Sequence, residues 1–511
     1  MLKLMFDRDR IYLYPYQFAD ESLTNDMKEV FGRGIDGPIY SEFREGHRYE
    51  YARDGELNAL GKYFFEKILA ETDFPEKVKR NTFRLGDELL TFCDSVSSLS
   101  LKSVSDDKLV DMYDEYAKRI RIMRAWGWIP PLVDGADETF LTDHIQDSFQ
   151  SLLRAQGREA NTNEYFSILS SSEEESEVRN EERIRLDLFM SIVGDDDETL
   201  KHLRRLSSEE FLCWVDENRE KKAGMVRDHA KEFEWLPYAY EGPGMTAEDV
   251  VTLLRETLES GIDPKAVLND MKTRPERLVR RKAEIIRELD MPDELQHLFR
   301  VLTVFMAFKD HRKGLYQRSY VKMDPVLEEI GRRSGLKLQE VKYLTQKEIG
   351  EALSGRDFKS ICSERVKYCM ARTENGVTKF LSPEEIENIK REIRDETAVS
   401  EENDLRGQIA YPGVARGKAK IVLVREDVEK MNEGDIIVSS STNPDLISAM
   451  QKASAFVTDM GGITCHAAIV AREMRKPCIV GTKIATKVFH DGDEIEVNAD
   501  DGVIRKVRKS D

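Results

Sequence analysis

From the start of the chain to about residue 395, apolar positions recur every three or four residues. In DDKLVDMYDEYAKRIRIMRAW (106–126), Leu109, Met112, Tyr113, Tyr116, Ile120 and Met123 fall on one helical face. AEDVVTLLRETLESG (247–261) follows Thr246, which suits a helix N-cap, and stops at Gly261. ERLVRRKAEIIRELDM (276–291) repeats the period. DPVLEEIGRRSG (324–335) and SPEEIENIKREIR (382–394) each open on a capping residue followed by proline, which predicts two helix starts. No longer internal repeat is visible, so the pattern does not predict a solenoid.

The pattern changes after the polar stretch DETAVSEENDLRG (395–407). GKAKIVLV (417–424), GDIIVSSS (434–441), SAFVT (454–458) and PCIVG (477–481) read as strands, and DEIEVNADDGVIRKV (493–507) as a hairpin turning at Ala499–Gly502. Helices fit between them at Glu426–Met431, Pro444–Lys452 and Thr464–Met474. The sequence therefore predicts a multidomain chain. A large, mainly α-helical region of one or two subdomains covers 1–395 and suits substrate binding or docking. A linker covers 396–406, and a small α/β domain covers 407–508. Within the helical region, WGWIPPLVDGADE (126–138) is a rigid break; it reads either as a packed turn or as one wall of a ligand pocket.

Composition narrows the classes. At 511 residues, more than one core is expected. The longest apolar run, Leu298–Phe308, is interrupted by Arg300 and is too short to span a bilayer. MLKLMFDRDR is acidic by its seventh residue, which does not suit a secretory signal. The six cysteines form no CxxC pair, so a reducing cytoplasm is the expected setting. The net charge of −19 resides upstream of Asp404; acidic and basic residues balance from there on. An acidic body argues against nucleic acid as a partner.

The chemistry concentrates in TDMGGITCHAAIVARE (458–473). Gly461 and Gly462 permit a tight turn after a strand, Thr464 can cap a helix, and Cys465 and His466 fall in its first turn. Free N–H groups and the positive dipole end there disfavour an imidazolium and favour an anion. A neutral imidazole at that position can act as nucleophile and then carry a phosphoryl group. By itself the run also fits a structural histidine. Zinc ligation is a poorer fit, since no partner ligands lie at suitable spacing. A Cys465–Cys478 redox pair is a minor alternative.

The longer run STNPDLISAMQKASAFVTDMGGITCHAAIVAREMRKPCIVGT (441–482) closely resembles the phosphohistidine swivelling domain of the phosphoenolpyruvate-utilising enzymes. That family includes phosphoenolpyruvate synthase, pyruvate phosphate dikinase and rifampin phosphotransferase. YPGVARGKAKIV (411–422) is similar to the family's entry strands. The resemblance implies a swivelling β/β/α phosphohistidine domain at 407–508. In it His466 is the phosphorylated residue, and Gly461, Gly462, Thr464, Cys465 and Arg472 surround the phosphate. Upstream, 324–353 and 363–370 are similar, more loosely, to the helical substrate-binding region of rifampin phosphotransferase. This makes Arg318, Arg365 and Lys367 candidates to meet a phosphate, although surface salt bridging is the favoured reading for each.

Complete members of the family carry an ATP-grasp domain. No glycine-rich phosphate loop followed by lysine is visible in this sequence, and the helical period of 1–395 leaves no room for a (β/α)8 barrel. The resemblance therefore implies a phosphotransferase component that works with a separate ATP-grasp subunit and a small-molecule acceptor. ATP and Mg²⁺ are expected on the partner, and no metal or nucleotide is expected on this chain alone. The alternatives are a non-enzymatic phosphocarrier or regulatory protein phosphorylated on His466, and a binding protein in which the histidine is structural.

Overall fold

The computed structural model describes residues 2–9, 12–44, 46–135, 138–194, 196–238, 242–393, 404–423, 425–442, 446–463 and 465–507. The large N-terminal region is mainly helical, organised around one long helix, Asp293–Ser334. Leu295, Leu298, Phe299, Leu302, Phe305 and Met306 recur at helical spacing and are buried. This helix packs along Phe74–Ser97 and Asp106–Gly127. It runs straight through Pro325, so Asp324–Pro325 is not the helix start that the sequence suggested. Pro275 likewise lies inside Pro264–Glu288. The expected starts at Thr246 and Ser382 are present, each with reciprocal hydrogen bonds between the capping residue and an acidic residue in the first turn.

A second departure is a sheet inside the helical region. Strands β1 (Leu2–Asp9), β2 (Ile39–Arg44), β3 (His47–Arg53), β4 (Tyr368–Glu374) and β5 (Val377–Phe380) are all antiparallel, in the order β1-β3-β2-β4-β5. The sheet ties residues 2–53 to 368–380. Its buried side carries a polar cluster beside Phe43, Cys369 and Ala371: Arg48 bonds Asp20 at 2.8 Å and stacks over Tyr16 at 3.9 Å, and Ser41 donates to Asp20 at 2.9 Å. A buried ion network needs such mutual pairing to be tolerated. It also erases the apolar alternation by which a strand is read from sequence.

The C-terminal domain is β-rich. Its strands are β6 (Asp404–Arg406), β7 (Gln408–Tyr411), β8 (Val414–Ile421), β9 (Ile436–Ser439), β10 (Ala455–Thr458), β11 (Cys478–Val480), β12 (Glu494–Asn498) and β13 (Val503–Lys506). They form one sheet in the order β6-β13-β12-β8-β9-β10-β11-β7, with β8 to β11 parallel. Alternate residues of β9 and β10 feed two cores. Ile437 and Phe456 meet the helix His466–Met474, while Ile436, Val438 and Val457 meet Phe489 and Ile495. Of the expected linker, residues 396–403 lie outside the described residues. Residues 404–406 are strand β6, paired with β13, so the sheet begins at Asp404 rather than at residue 407.

The two regions are in contact. Ile463 is buried in the core of the helical region, Gln408 Nε2 donates to Thr139 Oγ1 at 3.1 Å, and Asn163 Nδ2 donates to the Asp500 carbonyl at 2.9 Å. Among the described residues no helix is long and apolar enough to cross a membrane.

Candidate functional site

The site is built at the end of β10. Gly461 adopts φ +99°, a left-handed conformation that L side chains rarely adopt. At Gly462 a Cβ would stand 3.0 Å from Thr139 Cγ2 of the helical region, so the missing side chain permits close approach of the two regions. The helix His466–Met474 follows. Thr464, expected to cap it, lies outside the described residues. The capping position is held by Cys465 in extended conformation, without a side-chain capping hydrogen bond, and His466 is the first helical residue. Ala467, Ala468 and Ala471 are buried against the sheet, and their small size lets the helix lie close to it.

His466 Nδ1 lies 3.0 Å from Thr442 Oγ1. With Nδ1–H donating to that oxygen, the ring's lone pair resides on Nε2. Nε2 is fully covered and has no hydrogen-bond partner among the described residues, although the residue as a whole is only half-buried. Burial is the main cause that pulls the imidazole pKa down to about 3, and the charge of Lys313 adds to it. The ring is therefore neutral across the physiological range, with a desolvated lone pair.

His466 lines a cavity of about 230 Å³ between the two regions. The C-terminal domain contributes Thr442, Gly461, Gly462 and Cys465 to its wall, and the helical region contributes Tyr16, Trp128, Pro131 and Tyr316. The rigid break at 126–138 thus supplies part of a pocket wall. Four cations also line it: Arg124, Lys309, Arg312 and Lys313. Lys309, Arg312, Lys313 and Tyr316 follow helical spacing along one face of Asp293–Ser334. The Arg124 guanidinium lies 4.3 Å from the Tyr316 ring centre and that of Arg312 lies 5.7 Å from it. Lys309 Nζ donates to the Asp134 carbonyl at 3.2 Å, and burial lowers its pKa to about 8. The sequence reading missed all four. The signal for three of them was the basic run KDHRKG (309–314) directly after the apolar run Leu298–Phe308; Arg124 carried none.

Other residues singled out from sequence lie elsewhere. Arg472 is buried beneath the site, where its Nη1 donates to the Ile463 carbonyl at 2.6 Å and burial lowers its pKa to about 10. It props the turn that enters the helical region and does not line the cavity. Arg318 pairs with Glu177 at 3.2 Å and lies over Trp235. Arg365 makes two bonds to Glu348, at 2.8 and 2.7 Å, and lies over Phe380. Lys367 is exposed at the end of Lys359–Lys367. None of these three lines the cavity.

A family model described as "PEP-utilising enzyme, mobile domain" matches residues 431–502. A probable phosphoenolpyruvate synthase of Archaeoglobus fulgidus is 43% identical over 140 residues, which are 26% of this chain and 19% of that protein. The phosphoenolpyruvate synthase of Aeropyrum pernix is 42% identical over 146 residues, 27% of this chain and 18% of that protein. That of Pyrococcus furiosus is 39% identical over 136 residues, 26% of this chain and 17% of that protein. The chain thus spans less than a fifth of the length of these relatives. The family match contains the glycine turn, His466 and the helix that follows it, so residues 431–502 are similar to the mobile domain of the PEP-utilising enzymes.

Proposed function

We propose that this chain is a phosphotransferase component that carries a phosphoryl group on His466. The group comes from a partner that uses ATP or phosphoenolpyruvate, and it goes to a small-molecule acceptor bound in the cavity of the helical region. The observation that carries this reading is His466 Nε2: a neutral, desolvated nitrogen, held by Thr442 through the opposite ring atom, at a cavity between two regions.

Two displacements follow. In the first, the Nε2 lone pair forms the N–P bond as the donor's bond to that phosphorus breaks. Nδ1–H stays on Thr442, so the ring becomes cationic and the phosphoryl group anionic. In the second, an acceptor oxygen forms the O–P bond and its proton passes to water. The N–P electron pair returns to Nε2 and restores the neutral imidazole. Where ATP is the donor, Mg²⁺ accompanies it on the partner. Donor and acceptor lie at different places, so the domain carrying His466 swings between them.

The test is to incubate the purified chain with cell extract and either phosphoenolpyruvate labelled in its phosphate or ATP labelled in its β and γ phosphates. The expected result is an acid-labile label with one of the two donors that is absent from His466→Ala. Equal labelling of that variant would remove His466 from the mechanism.

A further inference from the structure

We propose that Arg124, Lys309, Arg312 and Lys313 form a phosphoryl cradle on the helical region: the group carried on His466 Nε2 is held, when the domains are docked, by cations that belong to the other region. This rests on the reading of His466 as the phosphoryl carrier and adds to it the residues that receive the group.

The geometry is the first support. Three of the four cations share one face of a single helix, at Lys309, Arg312 and Lys313, and Arg124 comes from the helix Asp106–Gly127. All four line the same cavity as His466. Tyr316, with Arg124 and Arg312 lying over it, keeps both guanidiniums at this wall. Arg312 is further tied to the Gly127 carbonyl. Such fixed donors lose little freedom when an oxyanion arrives.

Charge balance is the second. Two carboxylates, Asp134 and Asp310, also line the cavity. Asp134 accepts from the amides of Leu141 and Thr142 and from the Thr142 hydroxyl and also interacts with the charge of Lys309; Asp310 accepts from the Glu177 amide at 2.7 Å and interacts with the charges of His311 and Lys313. The charged and titratable groups lining the cavity with the histidine are thus four cations, two carboxylates, the Cys465 thiol and the phenols of Tyr16 and Tyr316, beside the hydroxyls of Thr442, Ser441 and Thr458. Without a phosphoryl group, this positive set faces a neutral imidazole. Asp134, beside Lys309, and Asp310, near Lys313, offset part of this concentrated positive charge, and two carboxylates against four cations leave it net positive. A phosphoryl dianion on Nε2 would offset the remainder. The field of Lys313 that disfavours a cationic imidazole would favour the negative charge on the phosphoryl oxygens.

The test uses the full chain and a small phosphoryl donor, phosphoramidate, so no partner is needed. ³¹P NMR follows the second ionisation of the phosphoryl group on His466 as the pH is varied. Cations at the oxygens favour the dianion and lower that midpoint. The expected result is a midpoint about one unit lower in the native chain than in Lys313→Met, and an intermediate value in Lys309→Met. Two variants are used so that misfolding of one leaves the other informative. Equal midpoints in a phosphorylated native chain and both variants would overturn the cradle while leaving His466 as carrier. Failure of the native chain to take up phosphoryl groups on His466 would overturn both.

Discussion

The two regions meet at one cavity and contribute opposite chemistry to it. The C-terminal domain offers a neutral nitrogen at the start of a short helix, oriented by a single hydrogen bond to Thr442. The helical region offers positive charge, three of the four cations from one long helix buried along much of its length, and aromatic walls from several elements. The nucleophile is oriented locally, but its low basicity arises mainly from burial in the docked arrangement and from Lys313 of the other region. On the proposed function, docking changes the protonation chemistry of the residue it delivers, and a swing away from the cavity is expected to return His466 toward the ordinary histidine range near about 6.5.

The strongest way to break this comparison is to separate the regions. Ile463 is fully buried in the apolar core of the helical region. Ile463→Asp places an unpaired carboxylate there, at a cost of several kcal/mol. It should abolish docking while both regions keep their secondary structure. Fluorescence energy transfer between labels on the two regions would read the loss, and the His466 imidazole should then titrate near about 6.5 in NMR.

A second, pH-dependent contact sharpens the comparison. Glu473, on the histidine helix, accepts from the Ser176 hydroxyl at 2.8 Å and the Ser176 amide at 3.3 Å, at the start of Glu177–Ile192. Burial raises its pKa to about 7, against the opposing pull of the Ser176 hydrogen bond and of Arg179 and Arg274, with a smaller upward push from Asp310. Undocked, the carboxyl returns to its ordinary range, so docking favours the protonated acid. That contribution is complete below the ordinary carboxyl range and is lost as pH rises through about 7. Glu473→Gln should therefore dock at least about tenfold more tightly than the native chain at pH 8, and the advantage should vanish near pH 4. A constant ratio across that range would show that Glu473 stays ionised in the docked state.

A smaller effect is expected from the hydrogen bond that orients the nucleophile. Thr442→Val removes the acceptor for Nδ1–H and costs about 1–1.5 kcal/mol, or roughly a tenfold slower phosphorylation of His466 by phosphoramidate. Thr442→Ser should restore the rate. An unchanged rate in the valine variant would mean that something other than Thr442 holds the ring.

How much of this was legible in the sequence follows from how far apart the contributing residues lie along the chain. Gly461, Gly462, Cys465 and His466 form one continuous run, so the turn, helix start and histidine could be read together. Thr442 lies on an earlier loop, and only the parallel pairing of β9 with β10 brings it to the ring. The four cations could not be assigned because on a helix they resemble a solvated face until the C-terminal domain closes over them. The N-terminal sheet was hidden for a different reason: Ser41, Arg48 and Glu50 face inward, so burial and hydrophobicity part company there. Pro325 misled because proline commonly marks a helix start, whereas the surrounding core carries this helix through it.

The central claim is that His466 Nε2 carries the phosphoryl group at this interface. The direct measurement is ¹⁵N–³¹P correlation NMR on ring-¹⁵N-labelled full-length protein phosphorylated by its native donor in extract, with the site assigned by mass spectrometry. The account predicts one phosphoryl group, on His466, coupled to Nε2 with Nδ1 still protonated. A group on Nδ1, or on any residue other than His466, would contradict it.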